Sequence, residues 1–126
     1  MPDTKYGCGT GECGACTVLL DGGRSILACL SLAALMDGAR ITTVAGLEVE
    51  GSLHPVQEAF VNEGAIQCGY CTPGMVMKSV SILAKNPHPT EEEIRRELEG
   101  NICRCTGYVK IVQAIQKAGD AMASTC

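Results

Sequence analysis

Nine cysteines stand in a chain of 126 residues. Eight of them fall into two sets. The first is Cys8, Cys13, Cys16 and Cys29; the second is Cys68, Cys71, Cys103 and Cys105. Cys126 stands apart at the end and is expected to be a free thiol on a frayed terminus. Thiolates bind soft metals strongly, so cysteines that are not paired as disulfides point to metal ligation. No apolar run reaches the length of a membrane span. No basic segment is followed by an apolar signal core, so the cytoplasm is the expected compartment. Thiols stay reduced there, which makes ligation the leading reading.

The spacing narrows the metal. Cys8-x4-Cys13-x2-Cys16, followed by the more distant Cys29, is the spacing of a plant-type [2Fe–2S] loop. Gly7, Gly9, Gly11 and Gly14 allow the backbone to wrap tightly and to aim N–H groups at sulfur. Such a centre is already anionic when oxidised, and reduction adds negative charge, so N–H donors stabilise it and set its potential. A zinc site is the competing reading. Structural zinc more often uses close C-x2-C pairs, whereas three cysteines here lie on one glycine-rich loop.

In the second set, Cys68-x2-Cys71 and Cys103-x-Cys105 are separated by a helical pair. Cys71 precedes Thr72-Pro73, a helix-start signal, and Cys105 precedes Thr106-Gly107 and a last helix. Two helix N-termini are therefore expected to converge on one anionic centre. The near-repeat of Cys-Thr-Pro-Gly at 71–74 and Cys-Thr-Gly-Tyr at 105–108 suggests a local two-fold arrangement. A disulfide within Cys103-Arg104-Cys105 would be strained. Taken alone, this set leaves zinc open.

The elements that must position these thiols change character along the chain. The first part reads as short strands at Thr17 to Leu20, Ser25 to Ala28 and Arg40 to Val44. The Asp21-Gly22-Gly23 turn joins the first two, and a short helix is expected over Cys29 to Met36. Residues 46–52 read as a linker. The rest reads as four helices. Ser52 is expected to cap the first, with Val56, Ala59, Phe60 and Val61 at apolar positions. The second runs from Thr72 to about Lys85 and is broken by Asn86-Pro87-His88-Pro89. Thr90 with Glu93 forms a capping box for the third. The fourth follows Gly107, with Val109, Val112, Ile115 and Ala118 at helical spacing.

Composition excludes several functions. The net charge is −4, without a basic block, and aromatic residues make up 3%. Neither phosphate neutralisation nor base stacking is supported, so no nucleic-acid partner is expected. His54 is expected to be a capping or surface group and His88 a solvated one. Met75, Val76 and Met77 read as core, and the glutamates at 91–93 and 97–99 as a solvated face. No Ser/His/Asp or Cys/His catalytic set is present.

Both cysteine sets together resemble the small iron–sulfur subunit of the molybdenum hydroxylases, the xanthine dehydrogenase and aldehyde oxidoreductase group. The matching stretches are KYGCGTGECGACTVLLDG at 5–22, LHPVQEAFVNEGAIQCGYCTPGMVMKS at 53–79, NPHPTEEEIRRELEGNICRCTGY at 86–108 and KIVQAI at 110–115. The resemblance implies an α+β chain. A plant ferredoxin-like β-grasp unit over residues 1–45 would precede a linker over 46–52 and a four-helix bundle over 53–126. It implies two [2Fe–2S] clusters on the eight cysteines, relaying electrons from molybdopterin on a large partner subunit to FAD on a medium one. The second set would lie nearer the pterin and the first nearer the flavin. Gln67 matches a glutamine that hydrogen-bonds the pterin in this family.

The family pattern carries a few dozen residues before the first cysteine loop, where seven stand here. The β-grasp unit is therefore expected to be truncated, and the first cluster to be held less well than the second. A start misassigned downstream of the true one is the favoured reason, over strands supplied by a neighbouring chain or a decayed copy. The competing functions are a free-standing ferredoxin-like carrier and a zinc-stabilised interaction module.

Overall fold

A computed structural model describes residues 3–124; Cys126 lies outside them. Three short strands form one antiparallel sheet: β1 (Thr17–Leu20), β2 (Arg24–Leu27) and β3 (Ile41–Thr42), in the order β2-β1-β3. β1 is central and all four of its residues are buried. Thr17 pairs with Leu27 and Leu20 with Arg24, while Leu20 also pairs with Ile41. The turn joining β1 to β2 places Asp21 and Gly22 at positive φ (50° and 85°), as a tight hairpin requires. Asp21 accepts from the Arg40 N–H at 3.1 Å, which ties the turn to the approach of β3.

Four helices follow: α1 (Pro55–Asn62), α2 (Thr72–Lys85), α3 (Glu91–Glu97) and α4 (Val109–Ala123). The architecture is the expected α+β one. Val56, Phe60, Met75, Val76, Met77, Ile94, Ile111 and Ile115 are each no more than 2% exposed and form a continuous core. α2 packs against β1, so one helix face joins the sheet to the bundle.

Several local expectations are corrected. The helix expected over Cys29 to Met36 is two separate 3-10 turns, Ala28–Leu30 and Ala33–Met36, neither with a buried residue. Without a core-facing stripe, so short a run has no packing to sustain a longer helix. The strand expected over Arg40 to Val44 pairs only at Ile41–Thr42, and Val44–Leu47 coils into another 3-10 turn with Leu47 buried. His54, not Ser52, caps α1. Its Nδ1 accepts from Val56 N–H at 3.2 Å, while Gln57 Oε1 accepts from His54 N–H at 2.9 Å. Ser52 instead bridges Val49 across a turn. Val61 and Val109, expected at apolar helical positions, are 59% and 54% exposed. The Thr90–Glu93 capping box forms as expected. Glu91 and Glu92 pair with Arg95 and Arg96 on the solvated face.

Candidate metal centre

The glycine-rich loop presents its sulfurs to its own backbone. Cys8 Sγ accepts from the N–H groups of Thr10 and Cys13, both at 3.4 Å, and Cys13 Sγ accepts from Cys8 N–H at 3.4 Å. Glycine is required at two points of this wrap. A Cβ on Gly7 would meet Cys13 Sγ at 2.7 Å. Gly14 sits at φ +69°, and a Cβ there would meet Asn101 Nδ2 at 2.6 Å. The Thr10 hydroxyl, with the two N–H groups behind it, pulls the Cys8 thiol down to about 5. Cys29 contacts Cys16, whose sulfur pushes the Cys29 thiol up, while the Gly11 N–H opposes that shift.

The second set lies on two segments brought together by the bundle. Cys68 and Cys105 place their sulfurs 3.6 Å apart. Cys71 and Cys103 are also in contact. Burial, then the Cys103 sulfur, pushes the Cys71 thiol up to about 12. Cys103 shifts the other way. Burial is the largest single influence and opposes ionisation, but hydrogen bonds from Thr106, the Cys105 N–H and Cys71 together outweigh it; the Thr106 hydroxyl donates to Cys103 Sγ at 3.0 Å and its N–H at 3.5 Å. Cys105 is raised, chiefly by the adjacent Cys68 sulfur.

At the start of α2, Cys71 holds the N-cap position and its side chain takes no capping hydrogen bond. The two near-repeat segments take different backbones, although pairing Cys68 with Cys105 and Cys71 with Cys103 is the arrangement a local two-fold would give. Thr72-Pro73 opens α2 directly, because proline is preset for a first helical turn. Thr106 instead turns back on Cys103, and Gly107 and Tyr108 both take positive φ (66° and 69°) before α4 begins.

The eight thiols thus stand as four adjacent pairs: Cys8 with Cys13, Cys16 with Cys29, Cys68 with Cys105, and Cys71 with Cys103. Within the second set the pairs also feel each other, Cys71 sensing Cys68 and Cys105 sensing Cys103. A mononuclear tetrahedral zinc site asks for four donors on one ion. A [2Fe–2S] cluster asks for four cysteines shared between two irons. Pairs, supplied with N–H and hydroxyl donors to sulfur, fit the second demand better. Cys8, Cys13, Cys68, Cys71, Cys103 and Cys105 also line one cavity of about 270 Å³ between the two sets. Cys16 and Cys29 line another, larger cavity of about 720 Å³ together with Val18, Ile26 and Ile41 of the sheet.

Gln67 is exposed beside Cys68, and Tyr70 of the same loop donates its hydroxyl to Tyr6 O at 2.6 Å. Cysteine spacing alone did not single out Tyr108. Its hydroxyl accepts from Cys103 N–H at 2.8 Å and donates to Asn101 O at 3.1 Å. His88 lies at the surface, 3.6 Å from Asp120, and His54 serves the α1 cap; neither faces the thiols.

Two family models match the chain. A 2Fe-2S iron-sulfur cluster binding domain covers residues 2–41, and a [2Fe-2S] binding domain covers residues 43–116. A nicotinate dehydrogenase subunit from Pseudomonas putida is 49% identical over 92% of this chain and 73% of its own length. The xanthine dehydrogenase iron-sulfur-binding subunit of Escherichia coli O157:H7 is 51% identical over 88% of this chain and 70% of its own. Among solved structures, quinoline 2-oxidoreductase from Pseudomonas putida 86 superposes with a TM-score of 0.90 at 45% identity, over 97% of this chain and 75% of that one. The aldehyde oxidoreductase of Desulfovibrio gigas gives 0.91 at 38% identity, over 98% of this chain but 14% of that far longer one.

Proposed function

The chain belongs to the small iron–sulfur subunits of the molybdenum hydroxylase family, and from that premise we propose a relay of electrons through two [2Fe–2S] centres on its eight paired cysteines. Cys8, Cys13, Cys16 and Cys29 would hold one cluster; Cys68, Cys71, Cys103 and Cys105 would hold the other. Each cluster, when bound, accepts and returns a single electron. The observation that carries the reading is the arrangement of the thiols in four pairs, with Cys8 and Cys13 of the first set and all four cysteines of the second lining one cavity.

This chain's own residues hold the sulfurs and stabilise their charge. Thr10 and Cys13 N–H groups serve Cys8, and Thr106 serves Cys103. Such donors favour the thiolate and stabilise added negative charge. The chain would divide into a ferredoxin-like unit (1–45), a linker (46–52) and a helical unit (53–126); the two family matches also split it in two, with their boundary a few residues earlier, between 41 and 43.

Electrons would come from molybdopterin on a large partner and leave to FAD on a medium one, with exposed Gln67 and Cys68 facing the pterin side. Substrate choice would rest with the large partner. Relatives named for nicotinate, xanthine, quinoline and aldehydes retain 38–51% identity to this one chain, which supports a relay indifferent to substrate. The compartment would be the cytoplasm; among the described residues no helix is long and apolar enough to cross a membrane.

The test is EPR of the dithionite-reduced protein, with iron, sulfide and zinc assayed on the same sample. Two distinct [2Fe–2S] signals are expected. Zinc without an iron signal would overturn the proposal. Purification as a lone monomer that never associates with a molybdenum-containing partner would instead favour a free-standing carrier.

A further inference from the structure

We propose that Asn101 is a positioning residue that fixes the two cluster sites relative to each other, an inference that rests on the two-cluster reading above. Asn101 is a buried polar side chain, 6% exposed. It lies two residues before Cys103, yet its Nδ2 donates across the fold to Gly14 O at 3.1 Å and to Thr17 Oγ1 at 3.2 Å. Gly14 stands between Cys13 and Cys16, and Thr17 follows Cys16. One amide therefore grips both sides of the loop that carries three thiols of the first set.

The orientation of that amide is set by chemistry. Gly14 O can only accept. The Thr17 hydroxyl already donates to Gly14 O at 2.7 Å, so towards Asn101 it must accept. The NH2 edge of Asn101 thus meets two acceptors; a carboxylate would be repelled by both, and an apolar side chain would remove the cross-fold link while Gly14 O kept its Thr17 donors. The neighbouring backbone reinforces the grip, since Ile102 N–H donates to Cys13 O at 2.9 Å. Packing leaves little slack: a Cβ on Gly14 would run into Gly100 O and the Asn101 side chain. At the other end of the segment, the Tyr108 hydroxyl ties Asn101 O to Cys103 N–H. The chain from Gly14 to Cys103 is thus a run of short, directed contacts.

Two paramagnetic clusters in one molecule split each other's EPR lines, and the dipolar part of that splitting depends steeply on separation and orientation. A merely structural asparagine would alter melting without altering the splitting of protein that has folded and loaded. The test compares Asn101→Leu and Thr17→Val with the unsubstituted full chain, in the assembly with which it purifies. Each sample is fully reduced, with iron content measured. The expected result is retained iron with a shifted spin–spin splitting, larger for Asn101→Leu than for Thr17→Val. Full iron with an unchanged splitting in Asn101→Leu would overturn the proposal. If Asn101→Leu does not load, Thr17→Val decides in the same way: a shifted splitting supports the assignment and an unchanged one overturns it. Absence of iron from the unsubstituted chain would instead remove the two-cluster reading beneath it.

Discussion

Replacing Gly74 with alanine tests how tightly the helical half is seated on the first cysteine loop. Gly74 lies in the first turn of α2 and is buried. A methyl group there would collide with Gly14 O and meet Ala15 O at 3.1 Å and Ala15 C at 3.2 Å. All three are backbone atoms, so no flexible side chain can move aside. One side of the contact is a helix begun at Cys71; the other is the loop between Cys13 and Cys16. Overpacking of this kind costs about 1–3 kcal/mol. Alanine returns up to about 1 kcal/mol through its helix propensity. Because the clash is with backbone alone, the cost lies at the upper end of that range, and a net loss of about 2 kcal/mol follows, equivalent to a fall in melting temperature of roughly 6–12 °C for a domain of this size. Thermal unfolding followed by circular dichroism measures it. Gly119→Ala is the control: its methyl would collide with Pro87 O and meet Leu83 Cδ2 at 3.1 Å, away from the thiols. Both variants should melt lower, but only Gly74→Ala should also alter the EPR of the reduced protein. A Gly74→Ala protein that melts at or above the unsubstituted one would refute the argument from close packing.

Burial holds the His54 imidazole below its ordinary pKa, and its Nδ1 must be unprotonated to accept from Val56 N–H. The unfolded chain therefore takes up the proton first. The stability that His54 contributes is complete above about pH 6.5 and is lost as pH falls through the lowered folded value. An asparagine in its place caps without titrating, so melting curves of His54→Asn should lack that acid-side loss; an identical pH dependence would count against it. Thr90→Ala removes the α3 cap and should cost about 1 kcal/mol in denaturant unfolding; no change would mean that α3 is held by Ile94 and its packing alone. With iron removed, Cys8, lowered to about 5, should be alkylated by a brief pulse of iodoacetamide at neutral pH. Cys71, raised to about 12, should be spared. Peptide mapping by mass spectrometry reads the ratio, and equal labelling of the two would contradict the assigned environments.

The residues that make the thiol sites legible in sequence are those with local geometry. The wrap of Cys8 to Cys16 follows from glycine spacing, and the starts of α2 and α3 follow from Thr72-Pro73 and Thr90-Glu93. What escaped is set by distant partners. Ser52 and His54 are equally plausible caps in sequence. His54 takes the role because Gln57 is placed to complete the box and to donate to Val44 O at 3.0 Å. Cys-Thr-Pro-Gly and Cys-Thr-Gly-Tyr look alike in text, but one proline against one glycine at positive φ sends them to different structures. The donors to sulfur in the second set were not visible either, since only a bend over residues 104–106 turns the Thr106 hydroxyl and N–H back to Cys103 Sγ.

The contacts between the halves also suggest why the two cysteine sets occur in one chain. The loop from Cys8 to Cys16 has few apolar groups of its own and relies for order on contacts made to it. Ile102 N–H satisfies Cys13 O, Asn101 adds a cross-fold donor to Gly14 O beside the two that Thr17 supplies, and α2 presses a bare glycine against the same carbonyl. A buried carbonyl left without a donor costs about 1–3 kcal/mol, so the Ile102 contact to Cys13 O alone is comparable to a sizeable fraction of a small domain's stability. They come from residues that also position Cys71 and Cys103. The bundle, with its continuous apolar core, is the part able to order itself, and the geometry by which it does so dictates where the first loop must sit. Spacing between the two sites is then a property of the folded bundle rather than of a flexible link, as a relay between fixed centres requires.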